Sequence, residues 1–350
     1  MIPFQPDYRH IVDAALNRTP KRLPLYEHNV TLPIVAALTG KDAEGLFNGN
    51  RADKAEFFRI FCRLLVEHGY DVVPFEVCAC EVVQKGKGLV GQAGPLVQTL
   101  ADVEAFPWKA KLAEYQAAAR DAFAALRSVL PPGMKVVGGV GNGLMETIQD
   151  FVPYQQLAYL MVDEPAVYAR LWTQIGDMLV GFWEWVLAEF ADIFAVCRFG
   201  DDLGFRTSTL ISPDDIRAHI IPQYRRITDL VHRHGKPFLL HSCGQIHEVM
   251  DDLIRDAKID AKHSNEDQIC PFRTWLERYG DRIGNFGGIE MNVLCLKSPA
   301  EIGEYVREVL AYSQGHGGVA IGSGNQISSY IPPQNFIALT EAVRRWRGDF

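Results

Sequence analysis

Eight short apolar runs punctuate this chain, each followed by a glycine-rich or polar break and then a longer stretch with helical spacing. They are residues 23–28 (LPLYEH), 70–76 (YDVVPFE), 135–142 (KVVGGVGN), 193–200 (IFAVCRFG), 236–243 (KPFLLHSC), 259–266 (IDAKHSNE), 283–290 (IGNFGGIE) and 318–325 (GVAIGSGN). Runs that are apolar along their length, alternating with helices, imply a parallel sheet covered on both faces. Eight such units predict an α/β fold: a single (β/α)8 TIM barrel over residues 1–350, with an N-terminal helical extension. A doubly wound open sheet is the alternative. Its glycine fingerprint is missing, because Gly138-Gly139-Val140-Gly141-Asn142-Gly143 is glycine-rich without the GxGxxG spacing.

The helical stretches carry their own signals. Ala117 to Leu130 is alanine-rich, with apolar residues every three or four positions. Ser212-Pro213-Asp214-Asp215 reads as an N-cap, a first-turn proline and two first-turn acids. Ile216, Ile220, Tyr224, Ile227 and Val231 then form one apolar face. Ser298-Pro299-Ala300-Glu301 repeats the capping pattern before Ile302, Tyr305, Val306 and Leu310.

Composition excludes several classes. A 48% hydrophobic fraction and 22% charged residues exclude a disordered chain. Thirty-five basic against 43 acidic residues give −8, which argues against a nucleic-acid groove. Seven scattered cysteines do not suggest a disulfide framework and fit a reducing cytoplasm. Met1-Ile2-Pro3-Phe4-Gln5-Pro6 has neither the basic nor the apolar region of a signal peptide. The most apolar helical stretch, Met178 to Trp183, is flanked by Asp177 and Glu184, so no membrane span is expected.

In a barrel the chemistry gathers at the carboxyl ends of the strands. Those ends bring up His28, Glu76, Asn142, Asp201, Asp202, His241, Cys243, His263, Glu266, Glu290 and Asn325. His241 and Cys243 are two apart on one strand and so share a side. Imidazole and thiolate are the preferred zinc ligands, and a catalytic zinc needs a third protein ligand. Glu266 or Glu290 could complete that set. The alternative is a buried, hydrogen-bonded pair. Asp201 and Asp202 could bind a cation, orient a substrate or a histidine, or cap a loop. Cys78 and Cys80 share the same spacing, but no ligand follows them, and they read as packed or partly exposed thiols. Cys62, Cys197 and Cys295 read as small core residues. His232 and His234 read as a helix C-terminal turn.

Several segments together resemble the uroporphyrinogen decarboxylase superfamily. They are Gly200-Asp201-Asp202-Leu203-Gly204 with Ile211-Ser212-Pro213-Asp214-Asp215, His241-Ser242-Cys243-Gly244, Gly287-Gly288-Ile289-Glu290, and Gly322-Ser323-Gly324-Asn325 with Tyr330-Ile331-Pro332-Pro333-Gln334-Asn335. The likeness is strongest over about residues 195–345. It implies a (β/α)8 barrel and either of two chemistries. The decarboxylases carry an arginine-rich substrate motif after the first strand, which Arg18 to Glu27 lacks. The methyltransferase branch binds zinc through a histidine-x-cysteine pair, matched by His241 and Cys243. Its coenzyme-M type adds a cysteine near the last strand, where this chain has Gly324-Asn325-Gln326. Cobalamin-independent methionine synthases use a glutamate on the next strand, which maps to Glu266, with His263 a nearby substitute.

The expectation is therefore a zinc-dependent methyltransferase. It moves a methyl group between a methylated small molecule or methylcorrinoid and a thiol, corrinoid or folate acceptor. His241, Cys243 and Glu266 hold zinc; Asp201, Asp202 and Asn325 are the catalytic candidates. His28, Glu76, Asn142 and Glu290 face substrate. A corrinoid would arrive on a partner protein or free, and the resemblance implies a homodimer. Two alternatives stay open: a metal-free lyase acting on an organic acid, and a non-catalytic barrel that binds a ligand.

Overall fold

The computed structural model describes residues 4–88 and 90–350, so Met1–Pro3, part of the opening segment read above, lie outside it. Seven parallel strands form one sheet in unbroken chain order: β1 (Val72–Cys78), β2 (Lys135–Gly141), β3 (Phe194–Gly200), β4 (Phe238–His241), β5 (Ala261–His263), β6 (Gly284–Ile289) and β7 (Val319–Ser323). They match the second to eighth apolar runs. A doubly wound sheet reverses its strand order at a switch point, and this one does not.

The first run forms an isolated bridge instead of a strand. Leu25 pairs with Ile321, through Tyr26 N–H to the Ile321 carbonyl at 2.9 Å and Ile321 N–H to the Pro24 carbonyl at 3.0 Å. Pro24 has no N–H to extend the ladder. Gly322 is what admits the run so closely, since a Cβ there would meet the Tyr26 carbonyl oxygen at 1.6 Å.

The sheet is curled, and its core shows this. Val72, Val137, Val196, Leu239, Ala261, Phe286 and Ala320, one from each strand, share a single buried cluster with Tyr26. In a flat sheet the outer two of seven strands would lie roughly 29 Å apart at ~4.8 Å per step, beyond any shared cluster. Helix α1 (Arg9–Ala15) adds Ile11, Ala14 and Ala15 to that cluster. It touches β3, β6 and β7, which only a curled sheet brings to one helix. The architecture is α/β, compatible with a TIM-barrel-like fold.

The helices cover the outside. Ala117–Leu130 lies within a longer helix, Trp108–Val129, and Met178–Trp183 within the buried-face helix Pro165–Phe190. Ser212 accepts the Asp215 N–H as read from the sequence, and a π-helical turn, Ile216–Ile220, then precedes the helix Ile221–Arg233. Ser298 and Glu301 form a complete capping box on Pro299–Ser313. All seven cysteines are free, with Cys62 and Cys197 buried and Cys78, Cys80 and Cys295 partly so. Among the described residues, no helix is long and apolar enough to cross a membrane.

Candidate functional site

Period-two alternation decides which side chains reach the inside of the curled sheet. Leu239 points inward on β4, so His241 does too. On β5 the inward pair is Ala261 and His263. His241 and His263 are direct register partners across β4 and β5, and their rings meet with Nδ1 to Nδ1 at 2.7 Å. His263 Nε2 lies 2.9 Å from the Ser323 carbonyl oxygen. On the other side, the His28 ring stacks on His241 with centroids 3.8 Å apart.

Cys243 lies two residues beyond β4, with its sulfur 3.5 Å from His241 Nε2. Asp202, two residues past β3, accepts the Cys243 N–H at 2.8 Å. Asp202, His241 and Cys243 each offer a ligand atom, all within 4.8 Å of one another. His28, His241 and His263 form a second such group. Asn325 Nδ2 donates to the Cys243 sulfur at 3.3 Å, and Ser264 Oγ approaches it at 3.7 Å. Burial, then the Asp202 carboxylate, pushes the Cys243 thiol well above its usual range. Burial, then neighbouring positive charge, holds the His241 and His28 imidazoles neutral.

Glu266 and Glu290 belong to neither group. Glu266 lines a small cavity with Gly244, His247, Lys262, Cys270 and Trp275. Glu290 accepts the Asn292 N–H at 3.2 Å, capping the helix Met291–Leu296, and the Asp267 N–H at 2.6 Å. Asp201 is fully buried and accepts the Met145 and Glu146 N–H groups at 3.0 and 2.8 Å, with a further bond from the Tyr224 hydroxyl. It therefore caps the helix Leu144–Phe151, and burial pushes its carboxyl up to about 6. Asn142 Nδ2 donates to Glu146 at 2.5 Å. Glu76 receives two bonds from Arg198, at 2.6 and 3.1 Å.

Three ionisable groups here escaped the sequence reading. Arg198 is a lone charge inside an apolar run, at even spacing from inward-facing Val196; that was the available signal. Glu146 stands four residues after Asn142, at the start of a helix. Burial, then Asp201 and Asp202, pushes its carboxyl up to about 8. Its Oε1 lies over Gly200, where an added Cβ would sit 3.6 Å from it, 3.6 Å from His241 Cδ2 and 3.8 Å from His28 Cε1.

Glu27 is the third. It is buried beside Ser323 and Tyr70, and burial pushes its carboxyl up to about 7 from a usual 4.5. The native state then keeps a proton that the unfolded chain has lost. Stability accordingly falls as pH rises through that window, by about 3 kcal/mol in all. Glu27→Gln is expected to remove this fall. Urea unfolding of both proteins at about pH 5 and about pH 8 checks it: the variant's advantage should grow at the higher pH.

A parallel, curled α/β sheet with ionisable groups converging at its carboxyl ends defines a protein of TIM-barrel-like architecture with a polar candidate site at that end. The model of the uroporphyrinogen decarboxylase (URO-D) family matches residues 72–346. The chain belongs to that family. Among solved structures it is similar to a methyltransferase from Methanosarcina mazei, with a TM-score of 0.69, 16% identity, and coverage of 98% of this chain and 99% of that one. More distant matches are a rutinosidase from Aspergillus niger (TM-score 0.44, 8% identity, 97% and 99% covered) and a D-psicose 3-epimerase (TM-score 0.38, 14% identity, 83% and 93% covered). No curated protein matches the chain.

Proposed function

We propose that the protein is a zinc-dependent methyltransferase of the URO-D family, with Asp202, His241 and Cys243 holding the metal. It would move a methyl group between a methylated small molecule or a methylcorrinoid and a thiol, corrinoid or folate acceptor. The carrying observation is the grouping of a carboxylate, an imidazole and a thiol within 4.8 Å at adjacent strand ends. The M. mazei methyltransferase, whose fold the chain shares along nearly its whole length, supports the same reading.

The donor chemistry fits zinc. A carboxylate, a thiolate and a neutral imidazole carry two negative charges, which a divalent cation cancels in a buried place. The three-histidine group brings no negative charge and stands near the Arg198 guanidinium, whose field reaches all three rings. Moreover, two nitrogens on one tetrahedral zinc lie roughly 3.3 Å apart. His241 and His263, at 2.7 Å, use those atoms on each other. Bound at Asp202, His241 and Cys243, zinc would keep an incoming sulfur nucleophile as its thiolate at neutral pH.

The chain's own residues do the rest. Asp202 anchors the Cys243 backbone, and Asn325 directs an N–H at the Cys243 sulfur, which orients that sulfur and takes up part of its charge. His28 lies flat on His241 and shields one ring face from water. Arg198 holds the His28 carbonyl at 2.5 Å, which fixes that shield in place.

Elemental analysis tests the reading. About one zinc per chain is expected in the wild type and none in Cys243→Ser. A well-folded wild type that retains no zinc after loading would overturn it. The metal-free lyase would then lead, on the strength of the Glu146 carboxyl that burial keeps protonated beside the same histidines.

A further inference from the structure

The residue behind His241 is the informative one. His263 Nε2 faces the Ser323 carbonyl oxygen at 2.9 Å. A carbonyl oxygen only accepts, so Nε2 carries the hydrogen. With its one ring hydrogen directed at the Ser323 carbonyl, the imidazole of His263 presents a lone pair at Nδ1. That lone pair lies 2.7 Å from His241 Nδ1, so His241 is the donor there. A neutral imidazole has one N–H to give. His241 Nε2 is consequently a lone pair, and it is the nitrogen turned toward Cys243 at 3.5 Å.

Each end of this chain of bonds is fixed by backbone. Ser323 belongs to β7 and is in register with Ile289 of β6. His241 and His263 are held side by side by the β4–β5 register. Gly287 makes room for the His263 ring, because a Cβ there would sit 3.0 Å from His263 Cδ2. His28 stacks on one face of His241.

We propose that His263 is a positioning residue: it locks His241 in the tautomer whose Nε2 is free to bind zinc, with the Ser323 carbonyl as the fixed end of the chain. This rests on the zinc reading above. It also excludes His263 itself as a ligand, since both of its nitrogens are engaged elsewhere. Outer-shell partners of this kind commonly change metal affinity by about 10–100-fold.

Two variants separate the roles. His263→Leu removes the acceptor that His241 Nδ1 uses. His263→Asn returns an amide oxygen near the same place. Zinc affinity, read by competition with a chromophoric chelator, is expected to fall about 10–100-fold in His263→Leu and only a few-fold in His263→Asn. Imidazole nitrogen NMR on the zinc-free wild type should show His241 wholly as the Nδ1–H tautomer. Wild-type affinity in a folded His263→Leu, or a hydrogen on His241 Nε2 in the wild type, would overturn the proposal. Should the leucine variant fail to fold, the wild-type tautomer and the asparagine variant still decide. A wild type that binds no zinc sinks the methyltransferase reading, while the tautomer measurement still judges His263.

Discussion

Arg198→Met is expected to destabilise the protein by about 3–5 kcal/mol, the range found when one partner of a buried ion pair is removed. Arg198 is only 1% exposed and lies inside the curled sheet. Its guanidinium gives two hydrogen bonds to Glu76 of β1, one to the Tyr26 hydroxyl at 3.1 Å and one to the His28 carbonyl at 2.5 Å. Tyr26 and His28 belong to the first apolar run, which the backbone attaches through the single Leu25–Ile321 bridge in that run. A side chain of β3 therefore ties in the segment that the ladder holds least. Methionine fills much of the volume but strands the Glu76 carboxylate, which is 17% exposed, without its counter-charge. Glu76→Leu should cost a similar amount, because a guanidinium cannot shed its proton. Arg198→Met combined with Glu76→Leu should recover most of the loss, since no charge then remains buried alone. Urea unfolding of the four proteins closes the cycle. A loss below about 1 kcal/mol in the single variants would mean that water already screens the pair.

The same residue shows what the sequence could and could not convey. Seven of the eight runs are strands, because continuous apolar stretches between helices have few other uses in a parallel sheet. The first run reads like the others, yet its proline interrupts the ladder, and its attachment falls to Arg198. That attachment joins positions about 170 apart, and no local pattern announces such a bond. The His241–Cys243 pair was legible from its two-residue spacing, although the strand ends at His241 and Cys243 reaches His241 from the turn that follows. Which carboxylate joins the pair was not. Glu266 follows β5, a strand of three residues, and the chain then turns into the Lys262–Trp275 cavity. Asp202 is drawn in by a backbone N–H, that of Cys243, which spacing cannot foretell. Asp201 and Asp202 are adjacent in sequence and opposite in use, one capping a helix and the other facing the thiol.

The choice between Asp202 and Glu266 can be made by experiment, and it carries the largest expected effect on binding. A zinc site of several ligands is worth about 10–16 kcal/mol, so losing one ligand should weaken zinc affinity on the order of 100-fold or more. Asp202→Ala is expected to show that loss, and Glu266→Ala a change within about threefold. Asp202→Asn separates charge from structure, because an amide oxygen can still accept the Cys243 N–H while the anion is gone. Its affinity should lie between those of the wild type and Asp202→Ala. Proton release gives an independent count. The Cys243 thiol is held protonated by burial and Asp202, and His241 is neutral, so zinc binding near pH 7 should release about one proton per chain, from the thiol. Cys243→Ser should abolish that release together with the binding. A loss in Glu266→Ala as large as in Asp202→Ala would mean that the segment after β5 swings its carboxylate out of the Lys262 cavity to reach the metal. Zinc would then have to pull Glu266 away from the buried Lys262 amine, whose positive charge Glu266 helps to sustain. A site that already has Asp202 in place gains nothing from that exchange.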